Sequence, residues 1–215
     1  MDFFKLFEAS LPALLAGLVL TLKIISVGII VAVIIGLVLG IINVGHNKIL
    51  KLIAKLYIDL VRGTPLLVQV FFIYFGLPSV LNFKLDAMLA GIIAIGINAS
   101  AYISEIIRAG IKSIDSGQME AARSLGLPYG VSMRKVILPQ AFKRMIPPLV
   151  NQFIISLKDT SILSSIGVIE LTSSGQIIIA SSFKAFQVWI MVGILYFMVI
   201  EILTLLSSRL ERWVS

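Results

Sequence analysis

Between residues 11 and 44 the chain carries one charged side chain, Lys23, in an otherwise almost wholly apolar run. Roughly 20 consecutive apolar residues cross the hydrocarbon core of a bilayer, so this run restricts the fold more than any other feature. A cleaved signal peptide has a basic leading region and an apolar region of roughly 7 to 15 residues. The run here is more than twice that length and follows Asp2, Lys5 and Glu8. It reads as a retained span.

Four further apolar runs follow, at about 64–77, 86–111, 146–168 and 187–207, each of spanning length or nearly so. Residues 49–60 read as an amphipathic helix leading into the second run, with Lys48, Lys51 and Lys55 on its polar side. The expected fold is an all-α membrane protein of five transmembrane helices forming a single domain over 1–215. An odd number of spans places the two termini on opposite sides. Composition agrees: 59% of residues are hydrophobic and 13% charged, against roughly 25% charged in soluble domains. Little chain is left for a domain outside the membrane, which argues against a membrane-tethered enzyme. There is no Cys, and His46 is the single histidine, which excludes a disulfide framework, a Cys-based metal site and a histidine cluster. No catalytic triad, metal site or cofactor motif is found.

The net charge of +7 would suggest nucleic acid in a soluble protein, but its distribution gives another meaning. Segments 45–63, 108–145 and 208–215 hold thirteen of the eighteen Lys and Arg, the opposite loops hold Lys5, Lys84 and Lys184, and Lys23 and Lys158 lie within spans. The excess of cations marks the cytoplasmic side, so the N-terminus is expected outside and the C-terminus in the cytoplasm. Short basic loops between apolar helices do not make a nucleic-acid surface.

The longest polar stretch, about 112–145, is expected to be a cytoplasmic knob. Asp115 followed by Gln118 resembles a helix start, 119–125 supplies helix formers, and Gly126 with Pro128 ends the helix. Residues 132–138 are expected to form a second short helix stopped by Pro139. The first helix is expected to expose Ala121 and Ala122 beside Glu120 and Arg123, small residues suited to insertion into a partner's groove. A helix lying on the membrane surface is the alternative at this level.

Glu120-Ala121-Ala122, then Gly126 after three residues, then nine residues before Val136-Ile137-Leu138-Pro139, resembles the EAA motif of ATP-binding cassette importer permeases. Val136 stands where that motif usually has Ile. Arg62-Gly63-Thr64-Pro65-Leu66-Leu67-Val68-Gln69, the run from Ser100-Ala101-Tyr102 through Glu105 and Arg108 to Gly110, and Lys158-Asp159-Thr160-Ser161 look like the polar amino acid branch of that family. The resemblance implies five helices, a second permease subunit, two ATP-binding cassette ATPase subunits, and an extracytoplasmic solute-binding protein. It also implies that Glu120, Ala121, Ala122, Arg123 and Gly126 couple to the ATPase. The chain has no G-x-x-x-x-G-K-[ST], so ATP hydrolysis would belong to a partner. Pairing as a homodimer would enclose a path that five helices alone do not.

Ionisable residues at bilayer depth are candidates for function. Helical spacing places Asn98, Tyr102 and Glu105 on one face of the third span, and Gln152, Ser156 and Asp159 on one face of the fourth. The expected substrate-binding residues are Asn98, Glu105, Lys158, Asp159, Thr160 and Ser161. If both acids stand ionised in the path, the field favours a basic amino acid such as arginine, lysine or histidine. Structural readings coexist: Glu105 can pair with Arg108, Asp59 with Arg62, and Gln69 and Asn98 can join helices by hydrogen bonds. Lys158 to Ser161 can mark a break in the fourth helix. Gly36-x-x-x-Gly40 permits close packing within or between subunits, Pro147-Pro148 is expected to start the fourth span, and Trp189 and Trp213 to anchor the last. Two other functions fit the spans: an ion-coupled secondary amino acid transporter, and a scaffold for a membrane complex. The first does not account for the spaced cytoplasmic motif, and the second predicts no solute bound among the third and fourth helices.

Overall fold

The computed structural model describes the backbone of residues 3–45 and 47–214, and side chains as far as Arg209. Asp2, His46 and the side chains of Arg212 and Trp213, which enter the readings above, lie outside that set. Among the described residues every regular element is helical.

Helix α1, Phe3–Val44, runs 42 residues, about 63 Å at 1.5 Å per residue. That is twice the hydrocarbon thickness of about 30 Å, so α1 extends beyond the bilayer or crosses it steeply tilted. Its buried positions, Leu14, Gly17, Thr21, Ile24, Gly28, Ala32, Gly36 and Gly40, recur every three or four residues along one stripe. The opposite face carries exposed Val19, Ile30, Ile34, Val38 and Ile41. Both faces are apolar, because lipid solvates one and protein the other; the buried stripe differs by having small residues. A Cβ at Gly36 would lie 2.7 Å from Ile103 Cγ2 and 2.9 Å from the Ser100 carbonyl oxygen. The Gly36-x-x-x-Gly40 pair therefore serves packing of α1 on the third span within one chain.

Helix α2, Lys48–Arg62, starts where the Asn47 side chain accepts from the Ile49 and Leu50 N–H groups. Its Ala54, Ile58 and Val61 are buried. After Gly63 the axis turns by 104° into α3, Leu66–Phe71, which continues through a wider π-helical stretch, Phe72–Gly76, into α4, Leu77–Leu81. Helix α5, Ala87–Lys112, starts on Asp86, whose carboxylate accepts from Leu89 N–H at 3.0 Å. Helix α6, Ser116–Ser124, is the first helix of the knob. Then α7, Tyr129–Ser132, leads through a π-helical stretch, Met133–Ile137, into α8, Leu138–Asp159. A tight 3-10 segment, Thr160–Ile166, follows, then α9, Leu171–Ser182, and α10, Ala185–Val214.

Helices α1, α5 and α10 are long and apolar enough to cross a membrane, and the two bent pairs, 48–81 and 129–182, raise the number of spans to five if each counts as one. The break expected around Lys158 to Ser161 is present, since α8 ends at Asp159 and the chain tightens.

Two proline expectations differ from the structure. Pro139 does not stop a short helix; the helical chain runs unbroken from Tyr129 to Asp159. Pro147 and Pro148 lie inside α8 rather than starting it. A proline in a helix clashes with the carbonyl four residues back and lacks an N–H. The π-helical stretch just before Pro139 contains that carbonyl, on Lys135, and widening the turn there relieves the clash. Pro78 follows the other π-helical stretch in the same way.

Helix α5 is the centre of the molecule. Ala90, Ala94 and Ile95 pack with Ile24, Val70, Leu157 and Leu163 in one cluster, and Ala99, Ile103 and Ile107 pack with Ala32, Ile137, Ala141 and Met145 in another. Ile114 joins the second cluster, so the start of the knob is tied to the bundle.

Candidate functional site

The polar faces of α5 and α8 meet. A cavity of about 620 Å³ is lined by Asn98 and Tyr102 of α5, Gln152 and Asp159 of α8, and Arg62 and Thr64 at the bend after α2. A second cavity, about 590 Å³, shares Arg62, Tyr102 and Gln152 and continues past Glu105 to Ser113 and Arg144. The i, i+4 and i+7 spacing on each helix brings these side chains to one side, as the sequence periodicity required. Asn98, 8% exposed, donates to the Gln69 side chain at 3.1 Å. Gln69 in turn donates to the carbonyls of Val61 and Thr64, so an amide chain ties α5 to the α2–α3 bend. Gln152 donates to Ser156 at 3.1 Å.

Glu105 takes the structural role open to it. Arg108 grips its carboxylate through two hydrogen bonds of 3.0 and 2.8 Å, and Arg62 Nη1 stands 3.7 Å away. The Arg62 guanidinium also lies over the Tyr102 ring, 5.4 Å from its centroid. The expected Asp59–Arg62 pair is replaced by this contact across helices, because Ile58 and Val61 pack α2 against Ala101 of α5 and set Arg62 opposite Glu105. Among the described residues Glu105 is the one acid in an ion pair.

The remaining candidates separate. Asp159 lines the first cavity. Lys158, one residue earlier, points away and is exposed. Thr160 is fully buried and donates to the Leu157 carbonyl; Ser161 donates to that of Lys158. Within one chain these three do not reach the cavities.

Glu170 was not singled out in the sequence. It is fully buried, and its carboxyl oxygens accept from Thr172 N–H and Ser173 N–H, each at 2.8 Å, and from the Tyr196 hydroxyl at 3.1 Å. It caps α9. Its neighbour Leu171 donates through N–H to Thr21 of α1. Cap preference favours Ser, Thr, Asp and Asn, so the cap rule passes over a Glu here. The available signal is an acid isolated between apolar segments.

The knob forms as expected at both ends of α6. Asp115 caps it by accepting from Gly117 N–H at 2.7 Å. At the other end Gly126 N–H bonds the Arg123 carbonyl and Leu127 N–H the Ala122 carbonyl, a Schellman closure that needs the left-handed φ of +81° at Gly126. Glu120, Ala121 and Arg123 are exposed. Ala122 is not; it is 5% exposed and faces inward, because α6 lies against the helical segments that follow it. The exposed apolar residue of the tip is Leu125, at 82%.

Residues 28–215 match the family model of the binding-protein-dependent transport system inner membrane component. The chain belongs to this family. It is a multi-pass membrane component of a transport system. Among its relatives is the arginine transport system permease protein ArtQ of Bacillus subtilis strain 168, 40% identical over 202 residues that cover 94% of this chain and 92% of the relative. Another is the glutamine transport system permease protein GlnP of Escherichia coli K12, 43% identical over 204 residues, covering 94% and 93%. A crystal structure of an amino acid ABC transporter with histidines superposes with a TM-score of 0.94 at 40% identity, over 99% of this chain and 98% of that one. An inward-facing methionine ABC transporter, MetNI, shares the fold at 17% identity and a TM-score of 0.72, over 95% of each chain.

Proposed function

We propose that this chain is the membrane-spanning permease subunit of an ATP-driven importer for polar amino acids, working with separate ATPase subunits, a second permease copy and an extracytoplasmic binding protein. Asp159 carries the reading. It is the acid of the central cavity without an ion-pair partner among the described residues, set among the Asn98 and Gln152 amides and the Arg62 guanidinium. A zwitterionic amino acid needs an anion for its ammonium group and a cation or N–H donors for its carboxylate, and Asp159 and Arg62 are those groups. The amides and the Tyr102 phenol suit a polar side chain. The relatives named for arginine and glutamine transport support this substrate class.

The preference for a basic side chain was drawn from two free acids. With Glu105 held by two arginines, it rests on Asp159 alone, so a glutamine-like and an arginine-like substrate compete for the same acid. Lys158 and Ser161, exposed or half-exposed beside the break, would reach the substrate only from a face shared with the second copy.

Coupling follows from continuity. Helix α6 packs on the segment 129–137, and from Tyr129 the helical chain runs about 45 Å to Asp159 without a break. A push on the knob by a closing ATPase therefore reaches the cavity acid along one element. The thirteen cations of the loops support a cytoplasmic knob and C-terminus and an outer N-terminus. A substrate shifts such a cycle only by binding its two states unequally.

Uptake into proteoliposomes holding the whole transporter tests the assignment. Asp159→Asn is expected to raise the apparent KM for the amino acid tenfold or more, the loss of about 1.5 kcal/mol or more of charge-assisted hydrogen bonding. Unchanged uptake and selectivity in this variant would remove Asp159 from the path.

A further inference from the structure

Where α1 ends at Val44 and α5 closes at Lys112, these two helices and the second half of α2 surround a cleft of about 320 Å³. Four cations line it, Lys55, Arg62, Arg108 and Lys112, against two acids, Asp59 and Glu105. Arg62 and Arg108 are committed to Glu105. Lys55 and Lys112 make no ion pair among the described residues and are exposed. The Asn43 amide adds a hydrogen-bonding group to the wall. Asp59 offsets part of this charge, and four cations against two acids leave a surplus of two positive charges in the cleft.

Its position decides what answers them. The last turns of the spanning helices α1 and α5 lie here, which is the level where the chain leaves hydrocarbon. Helix α2 carries exposed Leu52 and Leu56 within a turn of Lys55, and α1 carries exposed Ile41 on its lipid face, apolar surface for acyl chains. A soluble anion has no use for that surface. We propose that the cleft binds an anionic phospholipid, with Lys55 and Lys112 holding its headgroup phosphate and α1 and α2 its acyl chains. Basic clefts between membrane helices recognise such headgroups by charge. Arg62 lines this cleft and the central cavity, and Glu105 lines this cleft and the second cavity, so a lipid bound here shares a wall with the path. Only the identity of the leaflet, cytoplasmic, rests on the proposed topology.

Native mass spectrometry of the full chain in detergent, titrated with phosphatidylglycerol or with phosphatidylcholine of matched acyl chains, tests the site. The expected result is preferential retention of phosphatidylglycerol. Each lysine is expected to contribute about fivefold, so Lys55→Gln with Lys112→Gln lowers retention by roughly 30-fold. The charge-conserving Lys55→Arg with Lys112→Arg keeps it. Equal retention of the two lipids, unchanged retention in the glutamine pair, or equal loss in the arginine pair would overturn the proposal. So would displacement of the lipid by millimolar inorganic phosphate, which would assign the cleft to a soluble anion. The measurement needs no ATP, substrate or partner, so its failure and the failure of the transport reading are separate results.

Discussion

A buried carboxyl group is costly unless its oxygens are engaged, and those of Glu170 take two backbone N–H groups and the Tyr196 phenol. Glu170→Ala would free the two N–H groups, uncap α9 and leave the Tyr196 hydroxyl with Thr172 as its partner. The expected cost is about 2 kcal/mol, from a lost cap and one lost hydrogen bond of the Tyr196 hydroxyl, read as a lower unfolding temperature in detergent. Glu170→Gln retains one acceptor oxygen and should lose less. Asn98 and Asp159 were legible because helical periodicity alone places them toward a neighbouring helix. Arg62 was not, since its partner Glu105 lies 43 residues along the chain and is reached only through the packing of α2 against α5. Nor was the inward turn of Ala122, because small residues suit an exposed helix and a tight contact equally.

At the scale of elements, α1 and α5 are held together by size rather than polarity. Gly36→Leu would drive a side chain into Ile103 and the Ser100 carbonyl and is expected to destabilise the bundle by about 1–3 kcal/mol; Ile34→Leu, on the lipid side, should change the unfolding temperature little. The knob has the opposite character. Leu125 projects from its tip, so Leu125→Asp should leave folding intact and reduce co-purification of the ATPase at least tenfold; full retention would count against the coupling role. Deleting 119–126 should abolish the complex. The apolar runs announced these helices, yet the ends of α8 were misread. Local proline rules place a stop at Pro139 and a start at Pro147, whereas a π-helical stretch before Pro139 lets the element continue. Helix α9 was hidden because Thr172, Ser173, Ser174, Gly175 and Gln176 interrupt its apolar pattern.

At the scale of the molecule, one chain supplies an acid-bearing cavity, a continuous helical rod and an exposed knob, and the family match assigns that set to a binding-protein-dependent transport system. The spacing from Glu120 to Pro139 made the class legible, since a motif twenty residues long must keep a cap, a left-handed glycine and a proline in register. The substrate was less legible, because its selectivity depends on which acids remain unpaired in three dimensions. The most direct measurement is amino acid uptake into proteoliposomes containing this chain, its ATPase and its binding protein, with and without ATP. The expected result is ATP-dependent uptake of glutamine or arginine that is lost on deleting 119–126 and insensitive to collapsing proton and sodium gradients. Uptake driven by an ion gradient in the absence of ATP would contradict the account.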